Sequence, residues 1–340
     1  YVHALMEGKP ESKKTVILLS HFDVVNVEDY GTYKDYAFKP LEYTELLKKG
    51  SGISLSKEAE IDLASGDYIF GRGIMDMKFG LALDVEIMHQ IENKLDNFPG
   101  NILLLSVPDE ENNSAGMLAS VEMLAKLKEE KGLEYVCCIV SEPHFPKYPG
   151  DSSKYIYTGA VGKLLPVFYC VGKETHAGDP FSGLNPNLLT AKIIEKIELN
   201  PELSDVSASF MTPAPVCLKQ SDTKNSYSVS TPAAAYSYFN FITVTSAPDE
   251  VLNKLKSISE KAFEEVLHSI ENKADRLQSL TGSKPKLPSI KPMVITFREL
   301  YKMCLEARGK EFDEHMESFI KESQASDLRE LSVDIVREAH

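Results

Sequence analysis

Four short segments of this sequence carry side chains able to bind a metal or move a proton. His21 and Asp23 follow the apolar run Val16-Ile17-Leu18-Leu19, and the two-residue period of a strand puts both on one face. An imidazole with a carboxylate beside it is a metal ligand with the partner that fixes its tautomer and orientation; taken alone, the same pair reads as a strand-end polar cluster making turn hydrogen bonds. Gly71-Arg72-Gly73-Ile74-Met75-Asp76-Met77-Lys78 is a glycine loop opening onto a helix. Its glycines could cradle phosphate, but no Gly-Lys-Ser/Thr ending follows, and Asp76 alone reads as a helix N-cap. Pro108-Asp109-Glu110-Glu111 and Ser141-Glu142-Pro143 each close an apolar run. Adjacent carboxylates there repel unless cations neutralise them or one protonates, although either segment by itself reads as a solvated loop. Brought together, one imidazole and several carboxylates suit Zn²⁺, Mn²⁺ or Co²⁺, with a carboxylate bridging two ions.

The elements that must position these residues alternate. Residues 15–19, 68–70, 101–107 and 135–140 read as strands, and 79–91 and 114–129 as helices. That order predicts an α/β fold with a mostly parallel sheet and helices on both faces. Ligands in such sheets sit beyond the carboxyl ends of the strands, where the four segments lie. From about residue 161 the pattern becomes strand, helix and several alternating strands. A helix over 249–272 follows, with Val251, Leu252, Leu255, Ile258, Ala262, Val266 and Ile270 on its apolar face. This predicts a separate α+β domain, and the Pro/Gly/Ser-rich stretch 281–289 reads as a linker returning the chain to the first one.

With 340 residues, about two domains are expected, each able to bury a core. Hydrophobic residues at 43% and charged residues at 26% exclude a disordered or fibrous chain. A net charge of −14 without a basic stretch argues against a nucleic-acid or anionic-membrane partner, and no apolar run approaches the roughly 20 residues of a membrane span. Five cysteines, Cys137, Cys138, Cys170, Cys217 and Cys304, are odd in number and form no Cys-x-x-Cys pair. They predict neither a disulfide framework nor a thiolate zinc site, and suit a reducing cytoplasm. The sequence starts at Tyr1 without signal-peptide features and stops just beyond the helix-like 331–337, so both ends are expected to be cut.

The ordered motifs Ser20-His21-Phe22-Asp23, Gly71-Arg72-Gly73-Ile74-Met75-Asp76-Met77-Lys78, Asp109-Glu110-Glu111 and Ser141-Glu142-Pro143 resemble the M20 metallopeptidases. These include aminoacylases, succinyl-diaminopimelate desuccinylase and glutamate carboxypeptidases. The likeness extends through Gly172-Lys173-Glu174-Thr175-His176 to Asn185, similar to the histidine motif of that family's lid domain, and so covers about residues 15–190. Asp29-Tyr30-Gly31 and the stretch 142–151 most resemble the RocB arginine-utilisation branch. The resemblance implies a zinc-peptidase-like catalytic domain over 1–159, a lid and dimerisation domain over 160–278, and a linker with return to the catalytic domain over 279–340. It implies that His21 and Glu142 hold one zinc, Asp76 bridges to a second, Glu111 binds that second ion and Asp23 orients His21. Glu110 would be the general base, and His176, from the lid of a partner subunit, would help stabilise the oxyanion. Two zinc ions are implied per complete subunit, with Co²⁺ or Mn²⁺ as substitutes.

Two departures from the family pattern qualify these implications. Relatives supply a late histidine to the second zinc, and only His315 and His340 follow the linker, neither in a matching context. A second ion held by Asp76 and Glu111 alone lacks a neutral nitrogen ligand, so this stretch is expected to hold one ion firmly and to turn over little substrate. Many relatives also carry an arginine that grips a substrate carboxylate near the place where Asn240 stands here. The leading expectation is a cytoplasmic dinuclear metal hydrolase that cleaves the amide bond of a peptide or N-acyl amino acid, in arginine or related amino-acid catabolism. A non-catalytic dimeric protein that binds a metal or an amino acid is the alternative. A nucleotide-binding module using the Gly71–Gly73 loop is a third reading, opposed by the missing phosphate-lysine motif.

Overall fold

Strands β1 (Val2–Glu7), β2 (Lys14–His21), β3 (Asn101–Val107) and β4 (Glu134–Val140) form one sheet in the order β1-β3-β2-β4. The structure is a computed structural model and describes residues 1–340 except 51, 145–147, 149, 208–209 and 326. Part of the branch-like stretch 142–151 therefore lies outside the described residues. Strand β2 runs parallel to β3 and β4, while β1 is antiparallel to β3. The sheet is thus mostly parallel, as expected, with an antiparallel edge that the sequence reading did not include.

Helices α1 (Pro40–Lys48), α2 (Lys57–Ser65), α3 (Gly80–Glu92) and α4 (Ala115–Lys131) belong to the same unit. Parallel neighbours need a crossover, and α3 and α4 serve that purpose on opposite faces. Leu18, Ile102 and Leu104 pack with Met88, Leu81 and Ile87 of α3. Their neighbours in sequence, Ile17, Leu103 and Leu105, pack with Met117, Leu124 and Leu127 of α4, as the alternation of side chains in a strand requires. Strand β4 lies at the sheet edge, with Val136, Ile139 and Val140 about half exposed.

The strand expected over 68–70 does not form. Those residues run as irregular chain whose Phe70 N–H donates to the Thr44 hydroxyl of α1 at 2.7 Å, so a side-chain anchor replaces the strand ladder. Three strand ends, rather than four, deliver site residues, and Asp76 comes from the turn before α3.

The second unit, Tyr157–His340, contains β5 (Gly162–Leu164), β6 (Val167–Val171), α5 (Pro186–Ile197), β7 (Val206–Ser207), β8 (Phe210–Met211), β9 (Val216–Asp222) and β10 (Ala234–Thr243). It continues with α6 (Pro248–Thr281), α7 (Phe297–Arg308), α8 (Lys310–Glu322) and α9 (Leu328–Ala339). Strand β10 pairs antiparallel with β5, β6 and β9. Its Phe239 and Phe241 face Ile193 and Ile197 of α5 and Val251, Leu255 and Ala262 of α6. The α+β pattern matches the sequence reading, and α6 runs on to Thr281 before Gly282 ends it in a left-handed conformation.

Residues 279–340 were expected to return to the first domain, but they group with the second unit. Val333 of α9 is buried against Tyr236 and Tyr238 of β10, and Glu330 pairs with Lys219 of β9 at 2.6 Å. Lys256 of α6 holds Glu299 of α7 at 2.8 Å. Apolar cover for the open sheet face and these ion pairs keep the helices there. Among the described residues, no helix is long and apolar enough to cross a membrane.

Candidate metal centre

His21 ends β2 in register with Val107 of β3 and is 2% exposed. Its backbone N–H donates to the sulfur of Met77, 3.1 Å away, and Met77 is itself buried. The imidazole Nδ1 faces Asp23, 3.2 Å from its carbonyl oxygen and 3.4 Å from Oδ1. Those acceptors receive an Nδ1 proton, so Nε2 is the nitrogen that a metal would bind once it displaces the proton shared with the carboxylates. Asp23 is fixed in turn, because its two carboxylate oxygens accept the backbone N–H groups of Glu110 and Glu111, each at 3.1 Å.

Nε2 points into a ring of carboxylates, lying 3.0 Å from Asp76 Oδ1, 3.3 Å from Glu142 Oε1 and 3.9 Å from Glu110 Oε2. Ligand atoms of His21, Asp76 and Glu111 fall within 4.8 Å of one another, as do those of His21, Glu110 and Glu142. The structure therefore brings together His21, Asp23, Asp76, Glu110, Glu111 and Glu142. Asp76 does not cap α3: it sits in the irregular turn Ile74–Phe79 with its carboxylate on His21.

Burial pulls the His21 imidazole toward its neutral form, but Glu142, Glu110, Asp76 and Asp23 outweigh that and hold its pKa above the ordinary 6.5. Burial pushes the Glu111 carboxyl up, as does Asp76, against the opposing pull of His21. The same burial raises Glu142, with Asp76, Glu110 and Glu111 adding to it. Excess negative charge concentrated on one imidazole is the electrostatic state that a divalent cation relieves, and the donor set of one nitrogen and several oxygens suits Zn²⁺, Co²⁺ or Mn²⁺.

A pH dependence follows. Because the folded state raises the pKa of His21, Glu111 and Glu142, it binds protons more tightly than the unfolded chain. The cluster's contribution to metal-free stability is then fullest below the unfolded values and declines as pH rises through the raised folded ones. Zinc binding requires the deprotonated groups and has the opposite slope. The gap between zinc-loaded and EDTA-treated melting temperatures should widen from about pH 5 to about pH 8; a gap that is constant or narrows would contradict this charge state.

Two features were not foreseen from the sequence. Arg72 Nη2 donates to both oxygens of Asp29 at 2.6 Å and its guanidinium lies over the Tyr30 ring at 5.3 Å. This pair fastens the glycine loop to the 28–36 segment. Gly73 has φ +74°, and a Cβ there would lie 2.6 Å from Val24 Cγ1, so that glycine serves close packing. The phosphate-cradle reading gains no support from either contact. Asp84 of α3, 1% exposed, accepts the Ser141 hydroxyl at 2.6 Å, and burial raises its carboxyl pKa.

His176 belongs to the second unit, where it is exposed and its Nδ1 accepts the Gly178 N–H at 3.0 Å. That bond leaves Nε2 as the protonated, donating nitrogen. His315 pairs with Glu338 at 2.6 Å, and the His340 ring lies 6.4 Å from that of Tyr169. Among the described residues, His21 is the only histidine in either candidate metal group.

The chain matches the profile described as peptidase family M20/M25/M40 over residues 54–320. It is 39% identical over 309 residues to the uncharacterized protein YqjN of Bacillus subtilis (strain 168), covering 91% of this chain and 55% of that one. To Protein RocB of the same organism it is 33% identical over 328 residues, 96% of this chain and 57% of the relative. To the succinyl-diaminopimelate desuccinylase of Orientia tsutsugamushi (strain Boryong) it is 29% identical over 235 residues, 69% and 56% of the two chains. The chain spans little more than half the length of these relatives. With the profile covering most of its residues and RocB aligned along nearly all of them, the chain belongs to peptidase family M20/M25/M40.

Proposed function

We propose that this protein is a dinuclear metal-dependent hydrolase that cleaves the amide bond of a peptide or N-acyl amino acid. The observation that carries the reading is the convergence of Asp76, Glu110, Glu111 and Glu142 on the buried His21. In this reading His21 and Glu142 would hold one ion, Glu111 would hold a second, Asp76 would be shared between them, and Asp23 would orient His21. When bound, the ions supply Lewis-acid polarisation of the scissile carbonyl and ease deprotonation of the attacking water. Glu110 takes that proton and passes it to the departing amine, the work of a positioned carboxylate outside the ligand set. His176 donates its Nε2–H to the developing oxyanion, from the lid of a partner subunit in a homodimer.

The reading extends to a cytoplasmic role in arginine or related amino-acid catabolism, supported by the likeness to RocB. It also keeps the assignment of residues 1–159 to the catalytic domain and 160–278 to the lid. The test is a hydrolysis screen of the full-length, zinc- or cobalt-loaded protein against dipeptides and N-acyl amino acids, arginine derivatives included, with oligomeric state followed by light scattering on the same sample. Metal-dependent amide cleavage is the expected result. Tight metal binding without cleavage of any substrate by a dimer would favour the non-catalytic alternative.

A further inference from the structure

Five carboxylates packed around one imidazole repel one another, so each needs an anchor if the cluster is to meet a metal in a fixed geometry. Asp23 has the backbone N–H groups of Glu110 and Glu111. The anchor for Glu142 lies one residue upstream. Gly80, Asp84 and Met88 form the buried stripe of α3, spaced four residues apart and so on one face. Met88 packs into the core with Leu18, Ile102 and Leu104, while the two earlier positions close on Ser141. A Cβ on Gly80 would lie 2.0 Å from the Ser141 carbonyl oxygen, so helix and strand end meet there with no room for a side chain. One turn on, Asp84 Oδ1 accepts the Ser141 hydroxyl at 2.6 Å.

The other Asp84 oxygen, Oδ2, is sealed from solvent without a hydrogen-bond partner. A buried carboxyl with an orphan oxygen is costly, and an apolar residue would serve packing better at a position between Gly80 and Met88. What Asp84 does instead is grip the residue from which Glu142 extends. Helix α3 also follows directly on the turn that carries Asp76.

We propose that Asp84 is a positioning residue that fixes Glu142 through Ser141 and locks the strand end of Glu142 to the turn of Asp76. The proposal rests on the metal-centre reading above. Its test is Zn²⁺ affinity measured by calorimetry, with melting of the metal-free protein followed in parallel. Asp84→Ala should lower Zn²⁺ affinity by about 10–100-fold, the range for outer partners of metal ligands, while metal-free melting stays level or rises. Asp84→Asn, whose amide oxygen still accepts from Ser141, should bind zinc nearly as the parent does. Ser141→Ala, the milder change, should match the loss of Asp84→Ala, and the double variant should lose no more than either single one.

Parent-like zinc affinity in Ser141→Ala or Asp84→Ala overturns the proposal. So does a loss in Asp84→Asn equal to that in Asp84→Ala, or a loss that merely tracks a fall in melting temperature. A parent protein that binds no zinc, or a Glu142→Ala variant that binds it unchanged, would instead overturn the metal-centre reading itself.

Discussion

Replacing Glu110 by Gln is expected to lower turnover by about 10²–10⁴-fold and to leave metal content unchanged, the signature of a lost general base. The backbone of Glu110 is held by its N–H bond to Asp23 Oδ1 at 3.1 Å, so the substitution changes the side chain without releasing the loop. The side chain is 49% exposed and its nearer oxygen is 3.9 Å from His21 Nε2, farther out than Asp76 at 3.0 Å or Glu142 at 3.3 Å. That position suits a group that meets substrate and water. Turnover and metal stoichiometry measured on the same preparation check the prediction. Glu110 also groups with His21 and Glu142 within 4.8 Å, so equal loss of metal and activity would make it a ligand instead.

Replacing His21 by Ala should have the opposite profile, with metal and activity lost together. His21 is the only imidazole in the candidate groups among the described residues, and five carboxylates would be left with no nitrogen donor between them. Outer partners of a metal site contribute 10–100-fold to affinity, so loss of the ligand itself should cost at least about 100-fold. In the metal-free state the variant also loses the cation that offsets burial of Glu111 and Glu142. Calorimetric zinc affinity checks the expectation, and a variant that keeps parent-like affinity would remove His21 from the centre.

The contrast between these two residues shows what was legible in the sequence. His21, Asp76, Glu110, Glu111 and Glu142 could be picked out because each follows an apolar run or a glycine turn, where an open α/β sheet gathers side chains. Strands β2 and β3 were legible for the same reason, since their central apolar runs are buried under helices on both faces; β4 was legible from its β-branched residues although it lies half exposed at the edge. Strand β1 was not, because its sequence Val-His-Ala-Leu-Met-Glu lies half exposed at an edge and carries no clean alternation. The run at 68–70 looked like a strand by composition, yet its anchor is a single hydroxyl on α1, a tertiary contact with no local signal.

The grouping of residues 279–340 with the second unit is not legible in the sequence for a related reason. Its helices are amphipathic, and periodicity shows that a helix has an apolar face without showing which surface receives it. Tyr236, Tyr238 and Lys219 supply that surface through Val333 and Glu330. Asp84 did leave a signal: a charged residue four positions from Gly80 and four from Met88, on the buried face of α3. The apolar pattern around it specifies a helix whichever residue stands at that one position. Arg72 and Asp29 are 43 residues apart, and nothing in their spacing announces a pair.

The most direct test is the anomalous diffraction of zinc-loaded crystals. A strong zinc peak bonded to His21 Nε2, Glu142 and Asp76 is expected. A second ion, where present, should lie about 3.5–4 Å away, sharing Asp76 and contacting Glu111, with Glu110 bound to neither. Zinc located away from His21, or no zinc among these carboxylates at saturating concentration, would contradict it.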